Sequence, residues 1–202
     1  MIVIPALPVR NRHVSMVYHG EHFTREECEK IRSSADPNGW TEGLVGGHGQ
    51  DGAPAVERKA RSVVEQRVKF DQASGYPLSK VLRVISEVNS SYWQFELSGL
   101  AYDDMPYLMR YTGPRQDKYD WHIDMGRFHS ASRKLSFSLQ LTDGAEYDGG
   151  DLEFFNAAAD RATFRKAGTM VIFPSYWMHR ILPLTRGQRD VMVGWVHGPS
   201  YR

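Results

Sequence analysis

The sequence predicts a mainly β fold with flanking helices (α+β), a double-sheet jelly roll, on three observations. About eight short extended runs, broken by Gly, Pro and Asp, follow one another after Tyr92. One of them, Leu135–Thr142, alternates apolar and polar residues without exception. The helical signals, by contrast, fall before Tyr92. That division, with many short strands gathered in one half, fits two stacked antiparallel sheets supported by helices.

Taken in order, the first element is an opening strand at Val14–Tyr18. Thr24-Arg25-Glu26-Glu27 is a capping box, in which Thr24 accepts from the Glu27 N–H while Glu27 reaches back, so a helix runs from Arg25 to about Ala35. Gly43 to Ala53, with glycines at 43, 46, 47, 49 and 52, has no period and reads as a surface loop or a lid. It lacks the Lys-Ser/Thr ending of a phosphate cradle. From Pro77 to Asn89, Leu78, Val81, Leu82, Ile85 and Val88 recur at three-and-four spacing, the mark of an amphipathic helix packed on a sheet. The extended runs are then Tyr92–Leu97, Tyr107–Tyr111, Lys118–Asp124, Lys134–Thr142, Asp151–Phe155, Thr169–Phe173, Ile181–Leu184 and Asp190–His197. Tyr147–Asp151 reads as a turn. Leu135, Phe137, Leu139 and Leu141 face a core, whereas Ser136, Ser138, Gln140 and Thr142 face a polar cavity.

A chain of 202 residues suits one domain, with residues 1–98 as helical support and opening strands and 99–202 as the jelly-roll core. A net charge of +1, from 25 basic and 24 acidic residues, gives no basic field for nucleic acid or an anionic membrane. The one cysteine, Cys28, allows neither an internal disulfide nor a multi-cysteine zinc site and reads as a small buried hydrophobe. Met1–Val9 carries two prolines and no basic lead, a poor signal peptide, and no apolar run spans a bilayer. A cytoplasmic location is expected. Both a monomer and a homodimer are consistent with the sequence.

The chemistry concentrates on Tyr119-Asp120-Trp121-His122-Ile123-Asp124. In an extended strand His122 and Asp124 share a face and can share a metal ion. With His179 they would form a two-histidine, one-carboxylate set, which suits non-haem Fe(II) with positions left open for substrates. The local alternatives are a hydrogen-bonded pair bracing a turn and, for His179, a surface histidine. Trp121 and Trp177 read as packing wall, His129 as a loop residue and Asp103-Asp104 as a solvated turn.

Tyr111 eleven residues before His122, Tyr119-x-x-His122-x-Asp124, Arg133-Lys134-Leu135-Ser136, Gly149-Gly150-Asp151-Leu152, Ala167-Gly168-Thr169, Phe173-Pro174-Ser175, His179, Arg189 and Trp195 stand here in one order. That order resembles the prolyl 4-hydroxylase branch of the Fe(II)/2-oxoglutarate-dependent dioxygenases, over roughly Tyr107 to Pro199. The resemblance implies a double-stranded β-helix (cupin-like) and His122, Asp124 and His179 as iron ligands. It also implies O2 as oxidant and 2-oxoglutarate chelating the metal while its far carboxylate pairs with Arg189. Tyr111 would be a second donor to that carboxylate, with Gln140 and Ser138 as further candidates and ascorbate as a possible reductant. The implied reaction hydroxylates an unactivated C–H and yields succinate. Asp124, where halogenating relatives carry a small residue, points to hydroxylation.

The expected substrate is amino-acid-like, a small molecule or a peptide: a free amino acid, a peptidyl proline or a related residue. Arg127, Arg133 and Lys134 near the Met125–Arg133 loop suggest that it bears a carboxylate. Tailoring of a natural product is the alternative. A cupin-like zinc hydrolase or isomerase would need neither 2-oxoglutarate nor Arg189, and a metal-binding sensor without activity would not retain all of these groups.

Overall fold

The computed structural model describes residues 17–46, 53–158 and 160–200. Strand β1 (Tyr18–Glu21) leads into helix α1 (Arg25–Ser33), whose start is the expected capping box: Glu27 N–H donates to Thr24 Oγ1 and Thr24 N–H to Glu27. β2 (Thr41–Glu42), β3 (Arg61–Ser62) and β4 (Val64–Arg67) follow, then α2 (Leu78–Ser91), β5 (Tyr107–Thr112) and β6 (Lys118–His122). The remainder is β7 (Arg133–Gln140), β8 (Tyr147–Gly149), β9 (Leu152–Phe154), a short α3 (Arg161–Phe164), β10 (Thr169–Pro174), β11 (His179–Ile181) and β12 (Leu184–His197).

Among the described residues these strands form two antiparallel sheets. The larger runs β1-β10-β7-β12-β5-β4-β2, with β8 also on β12, and the smaller runs β3-β6-β11-β9. Side-chain alternation then sorts the apolar residues into two layers. Met170 and Ile172 of β10 join Leu135, Phe137 and Leu139 of β7, and Leu141 just past its end, in a core completed by Ile31 of α1 and Val81, Ile85 and Val88 of α2. Val171 and Phe173, on the other face of β10, pack between the sheets, where the Phe173 ring lies 4.8 Å from that of Phe154 on β9. β10 is buried along its whole length because both of its faces are covered.

β7 behaves as its alternation demands. Its leucines and Phe137 are all 2% exposed or less beneath the helices, while Ser136, Ser138 and Gln140 point between the sheets. Cys28 is buried, as expected, and its burial pushes the thiol up to about 11.

Several expectations fail, each for a visible reason. Tyr92–Leu97 is no strand: Gln94 takes φ 53°, and the Asn89 amide bonds both the N–H and the carbonyl of Phe95, doing a partner strand's work. Trp93 and Phe95 are buried two apart, which imitates strand periodicity. β3 and β4 escape the sequence because Arg61, Glu65 and Gln66 sit inside, with Arg61 and Glu65 paired. Leu182 and Pro183 separate β11 from β12 inside the run expected at Ile181–Leu184, and β12 is exposed at Thr185–Gly187 near its start. Tyr147–Gly149 is a strand; its turn is made by Gly149 and Gly150, at φ 74° and 64°. Of the opening strand, Val14–Met16 lies outside the described residues, as do Gly47, Gly49 and Gly52 of the glycine loop. No helix among the described residues is long and apolar enough to cross a membrane.

Gly168 joins the helical layer to the sheet. Its carbonyl accepts from the His22 and Phe23 N–H groups, its φ is 88°, and an added Cβ would lie 1.9 Å from the Phe23 carbonyl oxygen. Gly168→Ala is therefore expected to destabilise the protein by about 1–3 kcal/mol, read as a fall of several degrees in the thermal midpoint.

Candidate active site

β6 does not alternate cleanly. In its pairing with β11, His179 opposes His122 and Ile181 opposes Tyr119, so Asp120 and Trp121 of β6 face Arg180 alone and one of them is bulged. The bulge turns the Tyr119 and His122 rings onto one side, stacked with centroids 3.5 Å apart. The strand ends at His122, and Asp124 lies beyond it in a bend, so the shared face expected of a continuous strand is here made by the bulge and the bend. The Asp124 and Met125 N–H groups both donate to the Ser175 carbonyl, and Ser136 donates to Asp124 Oδ2 at 2.7 Å.

The three expected metal ligands are brought together. Imidazole Nδ1 of His122 lies 2.8 Å from the Asp120 carbonyl oxygen and Nδ1 of His179 lies 3.0 Å from that of Trp177. A carbonyl only accepts, so in each neutral ring Nδ1 carries the proton and Nε2 keeps its lone pair. Those two Nε2 atoms are each 3.6 Å from an oxygen of Asp124, and one ligand atom from every residue lies within 4.8 Å of the others. A single cation at about 2.0–2.2 Å from each atom can span such separations. The carbonyl acceptors behind the rings are the outer support that orients a ligating histidine.

The electrostatics suit a cation. Burial, and then the neighbouring His179, push His122 down to about 4, leaving it neutral and able to ligate at pH 7. Burial works against the Asp124 carboxylate, but His179, His122, Ser136 and Arg133 together hold it below its ordinary range. The site thus offers two imidazole nitrogens and one carboxylate, a set suited to a divalent metal of the Fe(II) type.

Arg189 lies on β12 opposite Tyr111 of β5, its guanidinium 5.5 Å from the centre of that ring. It is 3% exposed. Its Nε donates to Gln140 Oε1 at 3.1 Å, whereas its Nη1 is buried and has no partner among the described residues. It opens on a cavity with Leu152, Phe164 and Val171 as apolar walls and Ser138, Gln140 and Tyr147 as polar ones. A buried cationic N–H without an acceptor beside a cavity is a place for an anion. The groups therefore fit a dicarboxylate tail as well as a metal.

Gln140 and Ser138 line this cavity as the sequence suggests. The Tyr111 hydroxyl donates to the Met109 sulfur, at 3.9 Å, and burial raises its pKa and keeps it a donor. Tyr147, which the sequence reading assigned to a turn, takes a hydrogen bond from Gln140 Nε2 at 3.2 Å. Arg165 crosses under it, bound to the Gly149 and Tyr147 carbonyls and to Asp151. Neither residue has a local sequence signal for this place; only the glycine turn that brings them in was legible.

Three readings need correction. Asp104 is not solvated: it is 3% exposed and its carboxylate takes both edges of the Arg133 fork at 2.7 Å. Arg133 is therefore not free for a substrate carboxylate, since its remaining Nη1 donates to the Asp124 carbonyl at 2.9 Å. Lys134 is buried, and Arg127 and His129 are exposed in the segment after Asp124. Trp177 is partly buried against the inter-sheet core, but Trp121 is 40% exposed and so is not a wall of the interior.

Residues 107–197 match the family model of the 2OG-Fe(II) oxygenase superfamily. A PKHD-type hydroxylase of Hyphomonas neptunium is 35% identical over 146 residues, covering 69% of this chain and 65% of its own length. Another from a Synechococcus strain is 39% identical over 82 residues, 41% of this chain and 37% of its own. The chain thus spans less than two thirds of the length of either relative. Among solved structures, a Pseudomonas putida prolyl-4-hydroxylase superposes with a TM-score of 0.61 at 22% identity, covering 91% and 92% of the two chains. A Trichoplax adhaerens prolyl hydroxylase, solved with a peptide fragment of hypoxia inducible factor, gives 0.63 at 16% identity, covering 90% and 83%. The shared architecture is the double-stranded β-helix.

Proposed function

Through residues 107–197 the chain belongs to the 2OG-Fe(II) oxygenase superfamily, and from that premise we propose that it hydroxylates an unactivated C–H of an amino-acid-like substrate, a residue in a peptide or a free amino acid. One observation carries the reading. The polar face of β7 has Ser136 on the His122–Asp124–His179 cluster at one end and, at the other, Gln140 on the Arg189 guanidinium, whose Nη1 has no partner among the described residues. Four residues of strand span about 13 Å, so the metal site and the anion site share one wall at a fixed spacing.

When bound, Fe(II) with 2-oxoglutarate and O2 would supply the oxidising power that places one oxygen atom in the C–H bond, while the oxo acid takes up the other and loses carbon dioxide to become succinate. The chain's part is to hold and orient. His122, Asp124 and His179 would bind the metal, leaving its other positions to ligands. Arg189, aimed by Gln140, would take the far carboxylate, with the protonated Tyr111 hydroxyl beside it. Leu152, Phe164 and Val171 keep water from the tail of the co-substrate. Trp121, Ile123 and Met178, the chain neighbours of the three ligands, are 40%, 44% and 41% exposed. Such an apolar margin suits the aliphatic part of a residue, and the peptide carried by the Trichoplax neighbour supports a substrate of that kind.

The test is mass spectrometry of amino acids and peptides incubated with the protein, Fe(II), 2-oxoglutarate and O2, scanned for a gain of one oxygen alongside succinate. Turnover that needs zinc but neither oxygen nor 2-oxoglutarate would overturn the reading. Gln140→Leu, which keeps the bulk of the side chain but removes the acceptor that aims Arg189, is expected to raise KM for 2-oxoglutarate about 10- to 100-fold with kcat less affected.

A further inference from the structure

Asp124 is the one member of the cluster that lies in no strand, although Ser136 of β7 donates to its Oδ2. It lies past the end of β6, and among the described residues its backbone is tied by two bonds, its N–H to the Ser175 carbonyl and its own carbonyl to Arg133 Nη1. Arg133 is itself held on three sides. Its Nε and Nη2 engage both oxygens of Asp104, and its guanidinium lies 3.6 Å from the centre of the Trp195 ring. Asp104 in turn meets Nε2 of His197 at 3.0 Å, and Nδ1 of His197 meets Ser132 Oγ at 2.9 Å. Asp104 and His197 are 3% and 5% exposed, so this chain of contacts is dry.

We propose that Arg133, fixed by Asp104, is a positioning residue for Asp124: it sets the height of the bend and so the aim of the carboxylate at the metal position. The proposal rests on the oxygenase reading and deepens it. A guanidinium can serve a carboxylate with one edge and a carbonyl with the remaining N–H because its donors lie in a rigid plane. An ammonium in the same place keeps the charge but not the fixed directions. Asp104 supplies the counter-charge that lets a cation remain buried there. The arrangement also explains why a buried acid and a buried histidine from the far end of β12 occur next to a metal site that neither touches.

The experiment uses Co(II) alone, under argon, as a spectroscopic stand-in for Fe(II), with affinity and the visible ligand-field bands measured on the full chain. His179→Ala first establishes that the bands arise from the cluster. Arg133→Lys is expected to weaken Co(II) binding about 10- to 100-fold, the range for losing outer support of a ligand, and to shift the bands. Asp104→Asn, which keeps the shape and one acceptor for Arg133, should fall between Arg133→Lys and the wild type and serves if Arg133→Lys does not fold. Arg110→Lys is the control. It breaks an equal fork, on Asp190 at 2.9 and 3.0 Å, whose carboxylate is just as buried but does not touch Asp124. It should leave the bands unchanged.

Unaltered Co(II) affinity and bands in Arg133→Lys and Asp104→Asn would overturn the proposal while leaving the oxygenase reading in place. An equal loss in Arg110→Lys would also overturn it, because the effect would then be one of general stability. A wild-type chain that binds no Co(II) through His179 would overturn the underlying reading, and this inference with it.

Discussion

His179→Ala is expected to reduce 2-oxoglutarate-dependent succinate formation to background, a loss well beyond the 10- to 100-fold typical of removing even an outer partner of a ligand. His179 is one of only two nitrogen donors in the cluster, and its Nε2 faces Asp124 Oδ2 from β11 while His122 faces Oδ1 from β6. Without it the remaining donors lie on one side of the metal position. The measurement is succinate release at saturating Fe(II) and 2-oxoglutarate, with circular dichroism to confirm an intact fold. Activity within tenfold of wild type would remove His179 from the metal site.

Arg189→Met is expected to raise KM for 2-oxoglutarate about 10²- to 10³-fold, with kcat at saturation changed far less. Breaking a buried charge pair by removing one partner costs about 3–5 kcal/mol, and each 1.36 kcal/mol is tenfold. Part of that cost is relieved here because the carboxylate arrives from water and can remain there. The methionine fills similar volume against Tyr111 and Gln140, so the walls should stay in place. Arg189→Lys should lie between the two, keeping a charge but losing the directed Nη1–H. An unchanged KM in Arg189→Met would mean that the co-substrate tail lies elsewhere.

The residues that carry chemistry were legible where their signal is short in sequence. The His122-x-Asp124 pair, the lead-in to His179 and the ten-residue step to Arg189 are local spacings, and the structure brings all of these groups to the space between the sheets. The alternation of Leu135–Thr142 gave both faces of β7 correctly, because a strand between a helical layer and a cavity has no freedom to exchange them. Asp104 could not be read: beside Asp103 it looks like any acidic turn, and its partners lie 29 and 93 residues away. Tyr147 was hidden because two glycines follow it, a stronger turn signal than one aromatic is a strand signal. Tyr92–Leu97 failed in the opposite sense, with apolar alternation produced by burial under α2 and no ladder to accompany it.

β7 has the helix-supported core on one side and the reactive space on the other, joined through the same eight residues. Nothing soft lies between them. Evolution can hardly reshape this wall for a new substrate, since any displacement would have to be matched by Leu135, Phe137 and Leu139 among the helices. Divergence in what such an enzyme accepts should therefore accumulate in the stretch from Met125 to Ser132, where exposed Arg127 and His129 can change with no packing to re-solve, and the β7 side should stay nearly the same while tastes differ.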